Sequence, residues 1–171
     1  NLAKKLLLRA AEGDNKNIDI LFNLAECYQS LGQLDLAKDY AYKILNIQPN
    51  HTAAHRFICG IINHRSDKSH LPKILEIVKR DNFKNFSSNE KKDIYFSLGK
   101  AFEDNKDYEK SYIYLKKGNL IKNKEINYNI SDHEKFTKDI VKLFKNFDFE
   151  KIKKKTLQKQ IIFICGMPRS G

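Results

Sequence analysis

A set of small and apolar residues recurs along the chain and restricts what the chain can fold into. The two copies lie 74 residues apart, two periods of 34 plus six, and the matched pairs are Leu24 and Leu98, Ala25 and Gly99, Tyr28 and Phe102, Gly32 and Lys106, and Ala37 and Ser111. Large apolar residues three or four positions apart form a stripe along a helix, and small residues let two helices approach closely. The pattern therefore predicts stacked helical hairpins.

The pattern resembles the tetratricopeptide repeat, a pair of antiparallel helices that cross at small residues. One period before Ala37 and Ala41 lie Ala3 and Leu7, which adds half a repeat at the start of the chain. The resemblance implies an all-α, tetratricopeptide-type helical-hairpin solenoid of about three and a half repeats over residues 1–124. It also implies that a protein or peptide is the partner of the solenoid, and one or two aromatic side chains could grip an extended peptide.

The middle unit, from Thr52 to about Ser88, is degenerate and about six residues too long. Its register is traced by apolar residues on two expected helices, Ile58, Cys59 and Ile62 on the first and Ile74, Leu75 and Val78 on the second. We expect the extra residues in 80–88, before a helix capped by Ser87 or Ser88.

Residues 125–158 follow the repeats. Ser131 and Glu134 have the spacing of a capping box, which predicts the start of a helix. Its apolar face would contain Phe136, Ile140, Leu143, Phe144 and Phe147. We expect this C-terminal capping helix to cover the last repeat, and we expect residues 151–159 to form a lysine-rich connector.

Residues 159–171 have a different character. The run from Ile161 to Cys165 predicts a buried β-strand, and it leads directly into two glycines, Gly166 and Gly171, that flank Pro168, Arg169 and Ser170. A strand followed by a glycine-flanked turn can direct backbone N–H groups at a phosphate. No Gly-Lys-Ser/Thr follows, so the motif disfavours a P-loop kinase.

This segment resembles the 5′-phosphosulfate-binding loop of sulfotransferases, and Arg169 resembles the tyrosylprotein sulfotransferase branch. The resemblance implies an α/β P-loop-like domain of which only the first strand and loop are present. It further implies sulfuryl transfer from 3′-phosphoadenosine 5′-phosphosulfate to a hydroxyl acceptor such as protein tyrosine. The donor-binding residues would be Gly166, Pro168, Arg169, Ser170 and Gly171.

The first hypothesis is therefore the N-terminal part of a sulfotransferase. The chain starts with Asn1 and ends inside a motif, which suggests an excerpt of a longer protein. Catalytic residues are expected after Gly171, and the 171 residues alone are expected to be inactive. The alternative hypothesis is a non-catalytic, peptide-binding adaptor in which the solenoid itself carries the function. A homodimer stays open under both hypotheses.

Charge and cysteine usage exclude some classes. The net charge is +11, but only 5 of the 32 basic residues are arginine, so surface lysine explains the charge better than nucleic-acid binding does. A basic approach to an anionic nucleotide is the other interpretation. No apolar run approaches the roughly 18–20 residues that a membrane span needs. Cys27, Cys59 and Cys165 are scattered, which favours reduced thiols and a cytoplasmic location.

Other groups of reactive side chains are weaker candidates. His51, His55 and Cys59 are spaced to share one helix face, but we expect packing or surface roles for them and no metal site. The carboxylate pairs Glu103–Asp104 and Asp107–Glu109 are expected to be solvated. We expect most of one aromatic set to lie in the core, namely Tyr95, Phe96, Phe102, Tyr108, Tyr112 and Tyr114.

Overall fold

A computed structural model describes residues 2–126, 129–145 and 147 of the chain. These residues form eight α-helices and one 3-10 helix, Asp81–Asn85, with no β-strand among them. The α-helices are α1 (Leu2–Gly13), α2 (Ile18–Ser30), α3 (Leu34–Ile47), α4 (Thr52–Ile61), α5 (Leu71–Lys79), α6 (Ser88–Asp104), α7 (Tyr108–Glu125) and α8 (Ile130–Lys145). The chain divides into two compact units, residues 1–127 and 128–171.

Neighbouring helices in the first unit pack as hairpins. α2 packs against α3, and α6 against α7, and these are the most extensive contacts between helices. α1 lies against α2, α3 against α4, and both α4 and α5 against α6. The prediction of an all-α stack of helical hairpins is confirmed for this unit. The strand expected at 161–165 lies outside the described residues.

The turns of the two regular hairpins have the same backbone geometry. Gly32 has φ +73°, and Lys106, its counterpart 74 residues later, has φ +62°. In both turns a backbone bond of 2.9 Å closes the loop, from the N–H of Gln33 to the carbonyl of Tyr28 and from Asp107 to Phe102. A left-handed conformation is favourable for glycine and costs energy for lysine. The repeat therefore imposes the turn geometry even where the glycine is missing.

Small residues mark the places where paired helices cross. A Cβ atom added to Gly99 would lie 2.6 Å from Cδ2 of Leu115, so the Leu115 side chain of α7 packs directly on the backbone of α6. Ala25 and Ala37 are fully buried between α2 and α3, and Ser111 is buried at the position equivalent to Ala37. The small-residue prediction is confirmed.

The core consists of consecutive apolar clusters, each shared by adjacent helices. Leu24, Tyr28 and Ala37 form one cluster, Ile44 and Ile58 belong to the next, and Ile74 and Leu98 belong to a third. Burying one such Leu or Ile side chain contributes roughly 1.5–3 kcal/mol relative to leaving it exposed. Because each cluster joins neighbours in sequence, stability is distributed along the stack.

The middle repeat has two long connections, and the sequence predicted only the later one, since residues 80–87 join α5 to α6 whereas 48–51 join α3 to α4. Its hairpin connection runs over residues 62–70, whereas the other two connections span 31–33 and 105–107. The stretch expected to hold the extra residues is partly helical, with Phe83 buried in the 3-10 helix. Ile62, expected on the first helix, lies just beyond the end of α4. The long connection is held by buried histidines, which the apolar pattern does not count.

The sequence predicted the N-terminal caps of two helices. The prediction for α6 is confirmed, and the one for α8 is wrong. Ser87 caps α6 in a capping box: Glu90 accepts from the Ser87 N–H (2.8 Å), and Ser87 Oγ accepts from the Glu90 N–H (3.3 Å). The capping box expected at Ser131 is not the start of α8, which begins one residue earlier. Asn129 Oδ1 accepts the Ser131 N–H (3.0 Å) instead, because an asparagine side chain can bond to the backbone two residues further on.

The second unit contributes α8 to the described residues. Four of the five residues predicted for its apolar face lie on the helix, and Phe147 follows it. The proposed covering of the last repeat by α8 stays a prediction.

Candidate functional site

A groove lies on the surface that α4 and α6 share in the first unit. It encloses about 260 Å³. The groove is lined by residues of α4, α6 and α7, namely Arg56, Cys59, Gly60, Phe96, Ser97, Lys100, Glu103 and Leu115. We call this set the α4–α6 groove. Its wall thus combines charged, aromatic and aliphatic groups.

Arg56 and Phe96 form the cationic and aromatic part of the groove. The guanidinium carbon of Arg56 lies 4.7 Å from the centroid of the Phe96 ring, within the range of a cation–π contact. Behind the ring, a Cβ on Gly118 would lie 3.0 Å from Cε1 of Phe96, so a glycine in α7 makes room for it. In the described part of the chain, no acidic side chain forms a salt bridge with Arg56.

Lys100, unlike Arg56, is held by a salt bridge. Its ammonium pairs with the Asp104 carboxylate one turn further along α6. The other oxygen of Asp104, Oδ2, accepts the backbone N–H of His64 at 3.0 Å. Burial acts to raise the pKa of Asp104, but the bonds from Lys100 and His64 outweigh it, so the pKa is lowered. Asp104 therefore stays ionised and fixes Lys100 against the groove.

Asp93 lies one turn before Phe96 on α6, and its pKa is shifted in the direction opposite to that of Asp104. Burial raises the pKa of Asp93, against the hydrogen bond from the Thr52 hydroxyl (3.2 Å) and the positive charge of Arg56. The Ser97 hydroxyl donates to the backbone carbonyl of Asp93 at 2.6 Å. The bond between Thr52 and Asp93 joins the start of α4 to α6 and holds the rim of the groove in place.

Cys59 is part of the groove wall but is not a nucleophile. Burial raises the pKa of its thiol to about 12, although Ser97 and Arg56 act in the opposite direction. At neutral pH the reactive thiolate is therefore essentially absent. The side chain packs in the apolar cluster with Ile74 and Leu98, as expected for a small residue at a helix crossing.

The groove has the groups needed to hold a side chain that is apolar along its stem and acidic at its end. Arg56 offers a planar set of N–H donors that suits a carboxylate. Phe96 and Leu115 offer apolar contact beside it. Gly60 leaves the floor open, since nothing lies within 4 Å of a Cβ placed there. The α4–α6 groove thus places a guanidinium group, an aromatic ring and an aliphatic side chain around one cavity.

The structure accounts for several residues singled out in the sequence. His51 caps α4, with Nδ1 accepting the Ala54 N–H at 3.1 Å. His55 packs against other histidines rather than beside Cys59 in a metal cluster. Within the described ranges no group of three or more His, Cys, Asp or Glu side chains is arranged to hold a metal ion. Asp104, expected to be solvated, is instead bonded to Lys100 and His64 because the long connection folds back onto α6.

The predicted core location of the aromatic set holds for some of its members and is wrong for others. Phe102 is buried, while Tyr95, Phe96 and Tyr114 are half-buried. Tyr108 and Tyr112, expected in the core, are 65% and 64% exposed, because they lie on the side of α7 that faces away from α6. The donor-binding residues proposed from the sequence lie outside the described residues, namely Gly166, Pro168, Arg169, Ser170 and Gly171.

Sequence reasoning missed Arg56 and Lys100. A signal was available, since Arg56 and Phe96 are 40 residues apart, as are Gly60 and Lys100, which is one lengthened period. Residues at equivalent positions of adjacent repeats lie side by side on the same face of the stack, so these pairs were expected as neighbours where α4 packs on α6. Gly118 had no such signal, because only tertiary contact shows that Phe96 needs its space.

Paired antiparallel helices with small residues at their crossings and a shared surface groove define a helical-hairpin repeat protein. Two family models described as tetratricopeptide repeat match the chain, one over residues 1–58 and the other over residues 92–125. The chain thus contains tetratricopeptide repeats, as its sequence pattern indicated. These repeats indicate a helical region for interaction with other proteins.

One curated relative is an uncharacterized protein of Aquifex aeolicus, 27% identical over 170 residues. The match covers 99% of this chain but only 22% of the relative, so the chain spans about a fifth of that protein's length. No helix within residues 2–126 or 130–145 is both long and apolar enough to cross a bilayer.

Proposed function

We propose that this chain is a peptide-binding adaptor module that uses the α4–α6 groove. The observation that carries the proposal is the contact of Arg56 with Phe96 beside an open cavity of about 260 Å³. The partner would be an extended segment of another protein that presents an acidic side chain next to an apolar one. Tetratricopeptide repeats over most of the first unit support the choice of a protein partner.

The charge arrangement favours an acidic group at one place in the groove. Lys100 is neutralised by Asp104, whereas Arg56 makes its cation–π contact without a salt-bridge partner among the described side chains. A hydrogen bond to a charged group contributes roughly 1.5–3 kcal/mol. Arg56 is therefore the residue whose charge a bound carboxylate would compensate, and Glu103 at the same groove would disfavour a second one.

A random peptide library selected against the chain tests the adaptor proposal. We expect the selected peptides to combine an acidic with an apolar residue, and calorimetry then measures their affinity. Arg56→Gln removes the charge and should weaken binding about tenfold to a hundredfold, since each factor of ten is about 1.4 kcal/mol. Arg9→Gln, an equally exposed arginine on α1, is the matched control and should bind like the wild type.

Two results would contradict the adaptor proposal. One is a library that gives no binding peptide at all. The other is a set of peptides that bind Arg56→Gln as tightly as the wild type, because the contact would then lie elsewhere on the unit.

A second candidate function is sulfuryl transfer, and it rests on the sequence alone. The strand-like run before Gly166, followed by Pro168, Arg169, Ser170 and Gly171, favours binding of 3′-phosphoadenosine 5′-phosphosulfate. Arg169 would contact the anionic oxygens of the donor with its fork of N–H groups. In this proposal the repeats recruit a protein acceptor, and the groups that transfer protons come from beyond Gly171.

Donor binding tests the second candidate. Calorimetry with the longest polypeptide that the gene encodes should show binding of the donor, and Arg169→Ala should weaken it. Arg65→Ala, in the connection between α4 and α5, is the matched control. Absence of donor binding by the folded polypeptide would leave the adaptor function alone.

A further inference from the structure

Three histidines are buried together in the irregular middle repeat. His55 comes from α4, His64 from the connection at 62–70, and His70 from the residue before α5. Their exposed fractions are 2%, 0% and 0%. Ring centroids lie 5.0 Å apart for His55 and His70, and 6.2 Å apart for His64 and His70. We call His55, His64 and His70 the histidine cluster, and it joins α4 to the start of α5.

Hydrogen bonds fix the protonation of two members. Nε2 of His55 lies 2.9 Å from the carbonyl oxygen of Pro49, which can only accept, so this nitrogen carries the proton. Nδ1 of His55 is then an acceptor, and it lies 3.2 Å from Nε2 of His70, which must donate. In the neutral state the remaining nitrogen of His70, Nδ1, is an unprotonated acceptor.

The cluster has no place for added protons. Nδ1 of His70 and both ring nitrogens of His64 are buried without a hydrogen-bond partner in the described structure. A proton on His70 Nδ1 would create a buried cation whose N–H bonds to nothing, which is costly. A proton on Nδ1 of His55 would face the N–H of His70 unless His70 moved its own proton to Nδ1. The cluster is therefore built for neutral rings.

Some of the charged groups around the cluster oppose protonation of the rings, and others favour it. The positive groups are Lys73 of α5, Lys100 of α6 and His51 at the cap of α4, and the negative groups are Asp67 of the connection and Asp104 of α6. Tyr42 of α3 lies edge-on to His70, with ring centroids 5.8 Å apart. Neither carboxylate bonds to a ring nitrogen of the cluster. Asp104 accepts the backbone N–H of His64 and the Lys100 ammonium, and Asp67 bonds to Ser69.

Burial is the largest cause of the resulting pKa shifts. It lowers the pKa of His55 and of His64, and it lowers that of His70 to about 3, with repulsion from His55, His64 and Lys73 adding to the effect on His70. Asp67 and Asp104 only partly oppose these shifts.

We propose that the histidine cluster is an acid-sensitive lock that holds the connection 62–70 and the start of α5 against α4 and releases them when the rings become charged. Release would free the connection 62–70 from α4 and loosen Asp104, which the backbone N–H of His64 and the groove residue Lys100 now hold. The lock would thereby make the shape of the groove depend on pH, and this consequence rests on the proposed adaptor function. The lock itself does not rest on the adaptor function.

The direction in which pH changes the stability of the histidine cluster follows from the lowered pKa values of its members. Above pH 6.5, the ordinary histidine pKa, the rings are neutral in both the folded and the unfolded chain, and the stability of the cluster is fully present. As the pH falls below that value, the unfolded or opened segment binds protons that the closed cluster resists. At about pH 5 the opening constant should be about thirtyfold larger through His70 alone.

Hydrogen exchange of the complete chain tests the lock. Exchange is measured at about pH 7.5 and about pH 5 and corrected for the intrinsic rate at each pH. We expect residues 62–79 to lose protection at least thirtyfold more than α2 and α3, which contain no histidine. Equal changes in both regions would overturn the proposal, and this test needs no variant.

Variants separate the lock from general acid denaturation. His70→Gln keeps a side-chain N–H that can donate to His55 but does not titrate, so its opening should depend on pH at least tenfold less. His64→Gln is the second variant, should the first not fold. His133→Gln on α8 is the matched control and should behave as the wild type. A pH dependence in His70→Gln and His64→Gln equal to that of the wild type would overturn the proposal. Failure of peptide binding with an intact pH response would reject only the adaptor function.

Discussion

At the crossing of α6 and α7 it is not obvious whether replacing Gly99 by alanine would stabilise or destabilise the protein. An alanine normally stabilises a helix by about 1 kcal/mol relative to glycine, so Gly99→Ala should help if the site had room. The structure shows no room. The new Cβ would lie 2.6 Å from Cδ2 and 2.7 Å from Cγ of Leu115, far inside the optimal separation of about 3.5–4.0 Å.

The clash should be the larger effect. Relief of both contacts needs a χ1 change, which moves Cγ as well as Cδ2 and takes the whole Leu115 side chain out of its packed position against α6. Overpacking of this kind costs about 1–3 kcal/mol. After subtracting the gain of about 1 kcal/mol in helix propensity, we expect a net loss of up to about 2 kcal/mol in the free energy of unfolding, with the upper part of that range if α7 has to shift.

Urea denaturation followed by far-ultraviolet circular dichroism measures this loss. Gly60→Ala is the matched control, because its Cβ would meet nothing within 4 Å, and it should leave stability unchanged or raise it by up to about 1 kcal/mol. The double variant Gly99→Ala with Leu115→Ala should show a favourable coupling, since the clash is gone. Gly99→Ala at least as stable as the wild type would refute the close-crossing argument.

Three further predictions follow from single contacts. Ser87→Ala removes one half of the α6 capping box and should cost about 1 kcal/mol by urea denaturation, unlike a change at a solvent-facing serine. Lys106→Gly relieves a left-handed lysine and should stabilise by up to about 1 kcal/mol, whereas Gly32→Ala should destabilise by about 1 kcal/mol or more; equal signs would contradict this. In native protein at about pH 7.5 iodoacetamide should modify Cys27 before Cys59, whose thiol pKa burial raises to about 12, as peptide mass spectrometry can show.

The spacing of small and large residues was sufficient to predict the regular part of the fold. Leu24, Ala25 and Tyr28 predicted one helix face, and their counterparts near Leu98 predicted another, because helical periodicity is a local property of the chain. The same comparison placed Lys106 in a turn. It could not show that lysine would adopt the glycine conformation there, which the contacts of the whole hairpin enforce.

The candidate site was much harder to predict. Arg56, Lys100 and Glu103 look like ordinary solvent-facing charges on their own helices. Only the packing of α4 on α6 brings them to one groove and gives Asp104 a partner in each direction. For residues 159–171 the sequence argument stands by itself, since they lie outside the described residues.

Periodicity alone thus determined that this protein is a stack of tetratricopeptide-type hairpins, since a 34-residue recurrence leaves few other ways to bury its apolar stripes. The tertiary structure decided where the irregular repeat accommodates its extra length and which polar groups become buried. His64 and His70 sit in a connection with no periodic signal. Burial depends on contacts between segments distant along the chain, and those contacts are what turn ordinary histidines into groups that resist protonation.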